Sequence, residues 1–362
     1  MGKSDKSLHI VLLYCLTQLG VIYFVYPEDI IASAEEGHWL PVVLGIFVNL
    51  IVTAAYMKGL RYFPKQDLIG ILTGVGKTAA VLFLLPITVY LFMVNLITVR
   101  AFAEIITIVF LSNTPLWSII ALLLAISGLI AMNGAFSIMR TGVLLGLLFL
   151  PLMAFVIFMS FQNADWRYVF PLLDDNLGFL THKSYLESLF AFATSFLFLG
   201  FVQPEFKYSP KKVLLGIVAL IPFYLLAVYI PLLTFGRATA STFKFPFVMV
   251  VSTIQINWLM FDRVTMFLLL SLISFTMLFI ALLIWQTGVI VGRTIPKVKM
   301  SYIVTALSVV TFIGCVMVRN WEDIEELFLC NAVLRLYVWL IVPFAVYLLG
   351  LREKRRSGYG NR

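Results

Sequence analysis

Apolar residues run along this chain in long blocks separated by short polar connections, not at the spaced intervals of a half-exposed helix. Blocks long enough to cross a bilayer, at roughly 20 residues per crossing, fall near 8–31, 40–60, 80–110, 115–133, 141–161, 184–202, 211–234, 263–291, 300–318 and 332–350. The pattern predicts an all-α integral membrane protein of ten transmembrane helices. The third and eighth blocks exceed a perpendicular crossing and are expected to tilt. Pro86, Pro151, Pro222 and Pro231 fall inside blocks, where the ring and the missing N–H kink a helix.

The first block carries Thr17, Gln18 and Gly20 near its middle and Pro27 near its end. In lipid every backbone N–H and C=O needs a partner, so an interrupted helix is tolerated only where protein or a watery cavity surrounds it. A broken first helix with a binding site at the break is therefore expected. The sixth block reads Thr194, Ser195, then Gly200 and, after three more residues, Pro204. On residue types alone, a plain helix whose hydroxyls bond back to its own carbonyls fits equally well.

The order of lengths favours a break. Helices 1 and 2 are joined by about eight residues, as are helices 6 and 7, and each pair is followed by a longer connection into an overlong helix. Five helices followed by five similar ones must be oppositely oriented, because five is odd. That is the pattern of an inverted-repeat transporter with discontinuous helices 1 and 6. The reading is one polytopic domain, with repeats over about 8–161 and 184–350 and a basic tail over 351–362.

Composition agrees. Of 362 residues, 62% are hydrophobic and 12% charged, where a soluble domain carries roughly 25% charged, and mean hydropathy is +1.02. The net charge of +8 could suggest nucleic acid, but its placement gives another answer. With the N-terminus in the cytoplasm, 18 Lys and Arg lie on the inner side and 7 on the outer, with Arg100 left inside a span. Both termini are then cytoplasmic, and the outer loops collect acids: Asp165, Asp174 and Asp175 in one, and Glu322, Asp323, Glu325 and Glu326 in another. No nucleic-acid partner is needed. The cluster from Arg352 to Arg356 suits an inside-positive stop or contact with anionic membrane lipid. The N-terminus is short and basic, but no small-x-small site precedes Pro27, so Leu8 onward reads as a retained helix.

Candidate chemistry is sparse. Arg100 and Glu104 share a face of helix 3 at i,i+4 spacing, and burying either alone would be costly. They form a structural or gate-holding ion pair, or Arg100 binds a substrate carboxylate that Glu104 helps to hold. Helix 8 offers Ser271, Ser274 and Thr276, although most intramembrane hydroxyls are packing residues. Cys15, Cys315 and Cys330 imply no disulfide framework, and neither they nor the three histidines take metal-ligand spacing, so no cofactor is expected. Gly70 to Thr78 superficially resembles a phosphate loop, but five residues separate Gly70 from Gly76 where four are required. No enzymatic chemistry is indicated.

Several stretches carry a family resemblance. They are Gln18 to Gly20 with Pro27 and Ala34 to Trp39; Leu60 to Pro64; Arg100 to Glu104 with Asn113 to Pro115; Ala135 to Arg140; and Val169 to Leu173. In this order the chain resembles the spore permeases, the B subunits of the nutrient germinant receptors of endospore-forming bacteria, a branch of the amino acid–polyamine–organocation superfamily. The resemblance implies a LeuT-like fold, residence in the inner spore membrane, and assembly with receptor A and C subunits. It also implies a small nutrient, with an amino acid as the expected class, bound between helices 1, 3, 6 and 8. Carried onto this chain, the ligand site comprises Thr17, Gln18, Gly20 and Tyr23 at the first break and Ser195, Phe196, Phe198 and Gly200 at the second. Arg100 and Glu104 face them from helix 3, and Ser274 from helix 8.

One departure bears on mechanism. Transporters of the superfamily carry several small residues at the first break, whereas here Val21, Ile22 and Tyr23 follow Gly20. Such a flank suits a pocket that closes on a ligand and signals. The alternatives are a proton- or sodium-coupled amino acid transporter, with Glu104 as the coupling carboxylate, and a scaffold that binds no nutrient.

Overall fold

Apolar blocks must satisfy their own backbone groups in lipid, and here they do so as helices. The computed structural model describes residues 6–24, 26–109, 111–171, 178–254 and 264–359, with side chains of the last helix described to Arg355. Lys3, Leu172, Leu173, Asp174, Asp175, Arg263 and Arg362, and the side chain of Arg356, lie outside the described residues.

In chain order the helices are α1 (Ser7–Ile22), α2 (Tyr26–Ser33), α3 (Trp39–Leu60), α4 (Leu68–Val75), α5 (Lys77–Val109), α6 (Leu116–Met132), α7 (Gly134–Met159) and α8 (Lys183–Ala193). They continue as α9 (Phe198–Val202), α10 (Pro210–Ala219), α11 (Ile221–Ala240), α12 (Pro246–Ser252), α13 (Thr265–Thr294), α14 (Met300–Met317), α15 (Trp321–Leu336) and α16 (Val342–Tyr359). Among the described residues, eight helical runs are long and apolar enough to cross a membrane, the bent pair α1–α2 makes a ninth, and α6 is a shorter apolar helix. Counting α6 as a span, these match the ten predicted blocks.

Three boundaries differ from the pattern. The short helices α4 and α12 occupy stretches that read as connections, since eight and seven residues are too few to register as spans. The seventh block is divided into α10 and α11 at Leu220, because Pro222 fits the first turn of a new helix better than the interior of an old one. The last span starts at Trp321, well before 332. Asn320 caps it by accepting the Asp323 N–H at 3.1 Å, and Glu322 and Asp323 stand in its first turn, where the helix dipole favours acids. A π turn over Tyr337–Ile341 then joins α15 to α16.

The longest helices are α5, with 33 residues, and α13, with 30. At 1.5 Å per residue α5 is about 50 Å long, so it crosses a hydrocarbon core of about 30 Å only with tilt or overhang. Helix α13 is the hub, packing on α1, α5, α6 and α7. Bulky apolar side chains such as Leu147, Leu148 and Val333 point outward, while Arg100, Arg335 and several tyrosines are fully buried. That distribution suits a lipid exterior and a polar-lined interior.

Candidate ligand site at the helix breaks

The first break falls one turn later than Thr17–Gly20. Helix α1 continues through Gly20 to Ile22, and α2 departs at 60° after Tyr23 and Phe24; Val25 lies outside the described residues. Proline removes the N–H that would bond four residues back and crowds that carbonyl. For Pro27 the carbonyl concerned is that of Tyr23, where the helix ends. Thr17 remains helical and donates back to the Leu13 and Tyr14 carbonyls at 2.9 and 3.0 Å. Gly20 serves close packing: a Cβ there would meet the Phe275 carbonyl carbon and the Thr276 nitrogen of α13 at 3.1 Å.

The second break unwinds Thr194 to Leu197, between α8 and α9. Of the residues expected there, Ser195 and Phe196 lie in the unwound segment, while Phe198 and Gly200 belong to α9. A helix end leaves its last four carbonyls without intrahelical partners, and three tyrosines from other helices supply donors here. The Tyr90 hydroxyl of α5 donates to the Ala193 carbonyl at 3.2 Å, and that of Tyr56 on α3 to the Leu197 carbonyl at 3.2 Å. The Tyr224 hydroxyl of α11 lies 3.0 Å from both the Ala191 carbonyl and the Gln18 Oε1. Sequence reasoning missed these phenols, although a tyrosine deep in an apolar block is itself a signal, because its hydroxyl must find a partner.

Helix α1, more than a turn before its own break, meets the second break. Thr17 Oγ1 and Ser195 Oγ are 3.2 Å apart, and the Phe196 ring stands edge-on to Tyr56 with centroids 5.5 Å apart. Four buried polar atoms here make no hydrogen bond: Gln18 Nε2, Tyr23 Oη, Thr194 Oγ1 and Thr276 Oγ1. Successive helix residues are about 100° apart, so Ser274 and Thr276 occupy opposite faces of α13. Thr276 abuts Gly20, and Ser274 donates to its own helix at Leu270, 2.7 Å away.

Arg100 is oriented elsewhere. It pairs with Glu104 and donates to the Val318 and Arg319 carbonyls at 3.2 and 3.4 Å, tying α5 to the end of α14. Two residues along, Phe102 stacks on Phe24 with centroids 4.1 Å apart, and Phe245 also stacks on Phe24, at 5.8 Å. Tyr23 packs on Phe247 of α12 at 4.5 Å. These aromatic contacts close the region beside the first break.

Next to them lie charges that the blocks did not flag as a group: Asp29 on α2, Glu187 on α8 and Arg335 on α15. Arg335 donates to the Leu186, Glu187 and Phe328 carbonyls at 2.9, 3.0 and 3.1 Å and rests over Phe190. Asp29 and Glu187 border a void of about 10 Å³, room for about one water. At the other end, Asp67 at the start of α4 pairs with Arg293 at the end of α13 at 2.6 Å. The break region is thus closed toward both ends.

A family model described as "Spore germination protein" matches residues 6–324. The chain belongs to this family of spore germination permeases. A relative, Spore germination protein B2 of Bacillus subtilis (strain 168), is 21% identical over 369 residues, covering 98% of each chain. The fold is similar to that in the crystal structure of MhsT in complex with L-phenylalanine, with a TM-score of 0.60 at 12% identity, covering 98% of this chain and 99% of that one. The family member therefore has the LeuT-like fold of two inverted five-helix repeats, with helices 1 and 6 discontinuous, and is an integral membrane protein.

Proposed function

We propose that this spore germination permease is the nutrient-sensing membrane subunit of a germinant receptor. In this reading it binds a small nutrient, an amino acid by class, where α1 meets the second break, and it signals to A and C subunits in the inner spore membrane. The observation that carries the reading is the set of unpartnered buried polar atoms around that junction, Gln18 Nε2, Thr194 Oγ1 and Thr276 Oγ1. All three can donate, and an amide N–H can only donate, so a carboxylate is the complementary group. Helix α2 begins with the acidic side chains of Glu28 and Asp29 in its first turn. The ammonium of an amino acid suits that side.

Binding would exchange the tyrosine-held arrangement of the second break for one held by ligand, and partner subunits would read the change. Spores carrying Gln18→Ala or Thr276→Val, with wild-type A and C subunits, should require at least about tenfold more nutrient to germinate, the worth of one buried hydrogen bond to a charged group. Protein levels in the membrane should be unchanged. An unaltered nutrient response in both variants would remove the ligand from this junction. The fold shared with MhsT favours a second reading, an ion-coupled amino acid transporter. Uptake of labelled amino acid by proteoliposomes containing this chain alone, with sustained turnover, would displace the receptor reading.

A further inference from the structure

A groove of about 710 Å³ runs between the α3–α4 connection and the α9–α10 connection. Arg61 and Lys65 line one wall, Lys207 and Lys211 the other, and Pro64, Phe206 and Pro210 give it apolar surface. None of the four cations has an ion pair among the described residues. No carboxylate lines the groove, and the adjacent Glu205 is exposed outside it. Behind Phe206, the Phe136 ring carries two more cations, Arg140 at 4.0 Å and Lys6 at 5.5 Å from its centroid. Helix α10 starts at this wall with no side-chain cap on its first N–H groups, so its dipole adds positive potential.

A general excess of Lys and Arg at one membrane face accounts for basic connections. It does not require four cations to converge on one concavity without a counter-charge, an arrangement that costs mutual repulsion until an anion enters. We propose that this groove binds the phosphate headgroup of an anionic membrane phospholipid. The phosphate would lie among Arg61, Lys65, Lys207 and Lys211, and the glycerol and upper acyl chain along Phe206 and the two prolines. The apolar wall and the position beside the end of spanning helix α3 favour lipid over a free phosphate ion, which has no use for either.

The site bears on the breaks. The Lys6 N–H donates to the Lys207 carbonyl at 3.1 Å, and the Ser209 N–H to Ser7 Oγ at 3.0 Å, so the foot of α1 is fastened to the groove wall that follows α9. A headgroup bridging that wall to Arg61 would hold the foot of helix 1, the link after helix 6 and the end of α3 together. Anionic lipid would then stabilise the closed arrangement.

The test uses the full chain in nanodiscs of phosphatidylcholine with or without phosphatidylglycerol, with bound lipid read by native mass spectrometry and stability by thermal unfolding. Phosphatidylglycerol should be retained and should raise the unfolding temperature. Lys65→Gln/Lys211→Gln, both exposed and safe for folding, should weaken retention about tenfold, and the fourfold variant adding Arg61→Gln and Lys207→Gln should abolish it. Lys297→Gln/Lys299→Gln, on another connection, should change nothing. Equal retention in the wild type and the fourfold variant would overturn the site. Stabilisation by inorganic phosphate alone, matching that by phosphatidylglycerol and lost in the fourfold variant, would overturn the lipid assignment.

Discussion

A Cβ at Gly200 would lie 2.0 Å from the Tyr56 hydroxyl, which donates to the Leu197 carbonyl at the second break. Glycine is needed there so that a phenol from α3 can reach the unwound segment. Gly200→Ala should displace that hydroxyl and cost about 1–3 kcal/mol, the penalty of disturbing a buried hydrogen bond. The same substitution in a Tyr56→Phe background meets no hydroxyl and should cost measurably less, a non-additivity that thermal unfolding of the four proteins of the cycle would detect. At Gly20 the obstacle is the backbone of α13, which cannot swing aside as a phenol can. The sequence made both glycines visible as interruptions; which neighbour each one admits was not legible, because those contacts come from helices far away in the chain.

Among elements, the second break depends on its three tyrosine donors unequally. No backbone N–H of the unwound segment reaches the Ala191 or Ala193 carbonyl, whereas the Leu197 carbonyl also accepts the Gly200 N–H at 3.1 Å. Tyr90→Phe and Tyr224→Phe should each cost about 1–3 kcal/mol, and Tyr56→Phe about 1 kcal/mol or less. Equal losses for all three in thermal unfolding would contradict this ordering. Helix ends were set by local chemistry that the sequence carries. Pro27 ends α1 at Tyr23, and Asn320 starts α15. The missed starts and stops, at α4 and α12, are short helices that only their neighbours stabilise.

For the whole molecule, we propose from the charge count that the basic groove and the buried trio of Asp29, Glu187 and Arg335 lie at opposite faces of the membrane. In a cysteine-free background, a membrane-impermeant maleimide should label Lys211→Cys and Arg167→Cys from opposite sides of sealed vesicles. Labelling of both from one side would reverse or break the assigned topology. The amino-acid sequence by itself determined the number of spans, their polar interruptions and the sorting of charge, because bilayer thickness and backbone satisfaction act on each segment separately. Tertiary structure alone decided that Thr276 rather than Ser274 abuts Gly20, and that Arg100 is committed to the end of α14. It alone brought Arg61, Lys65 and Lys207 from two connections, and Lys211 from the first turn of α10, into one groove. Those outcomes depend on how helices rotate and pack against one another, and periodicity within a uniformly apolar block leaves that rotation undetermined.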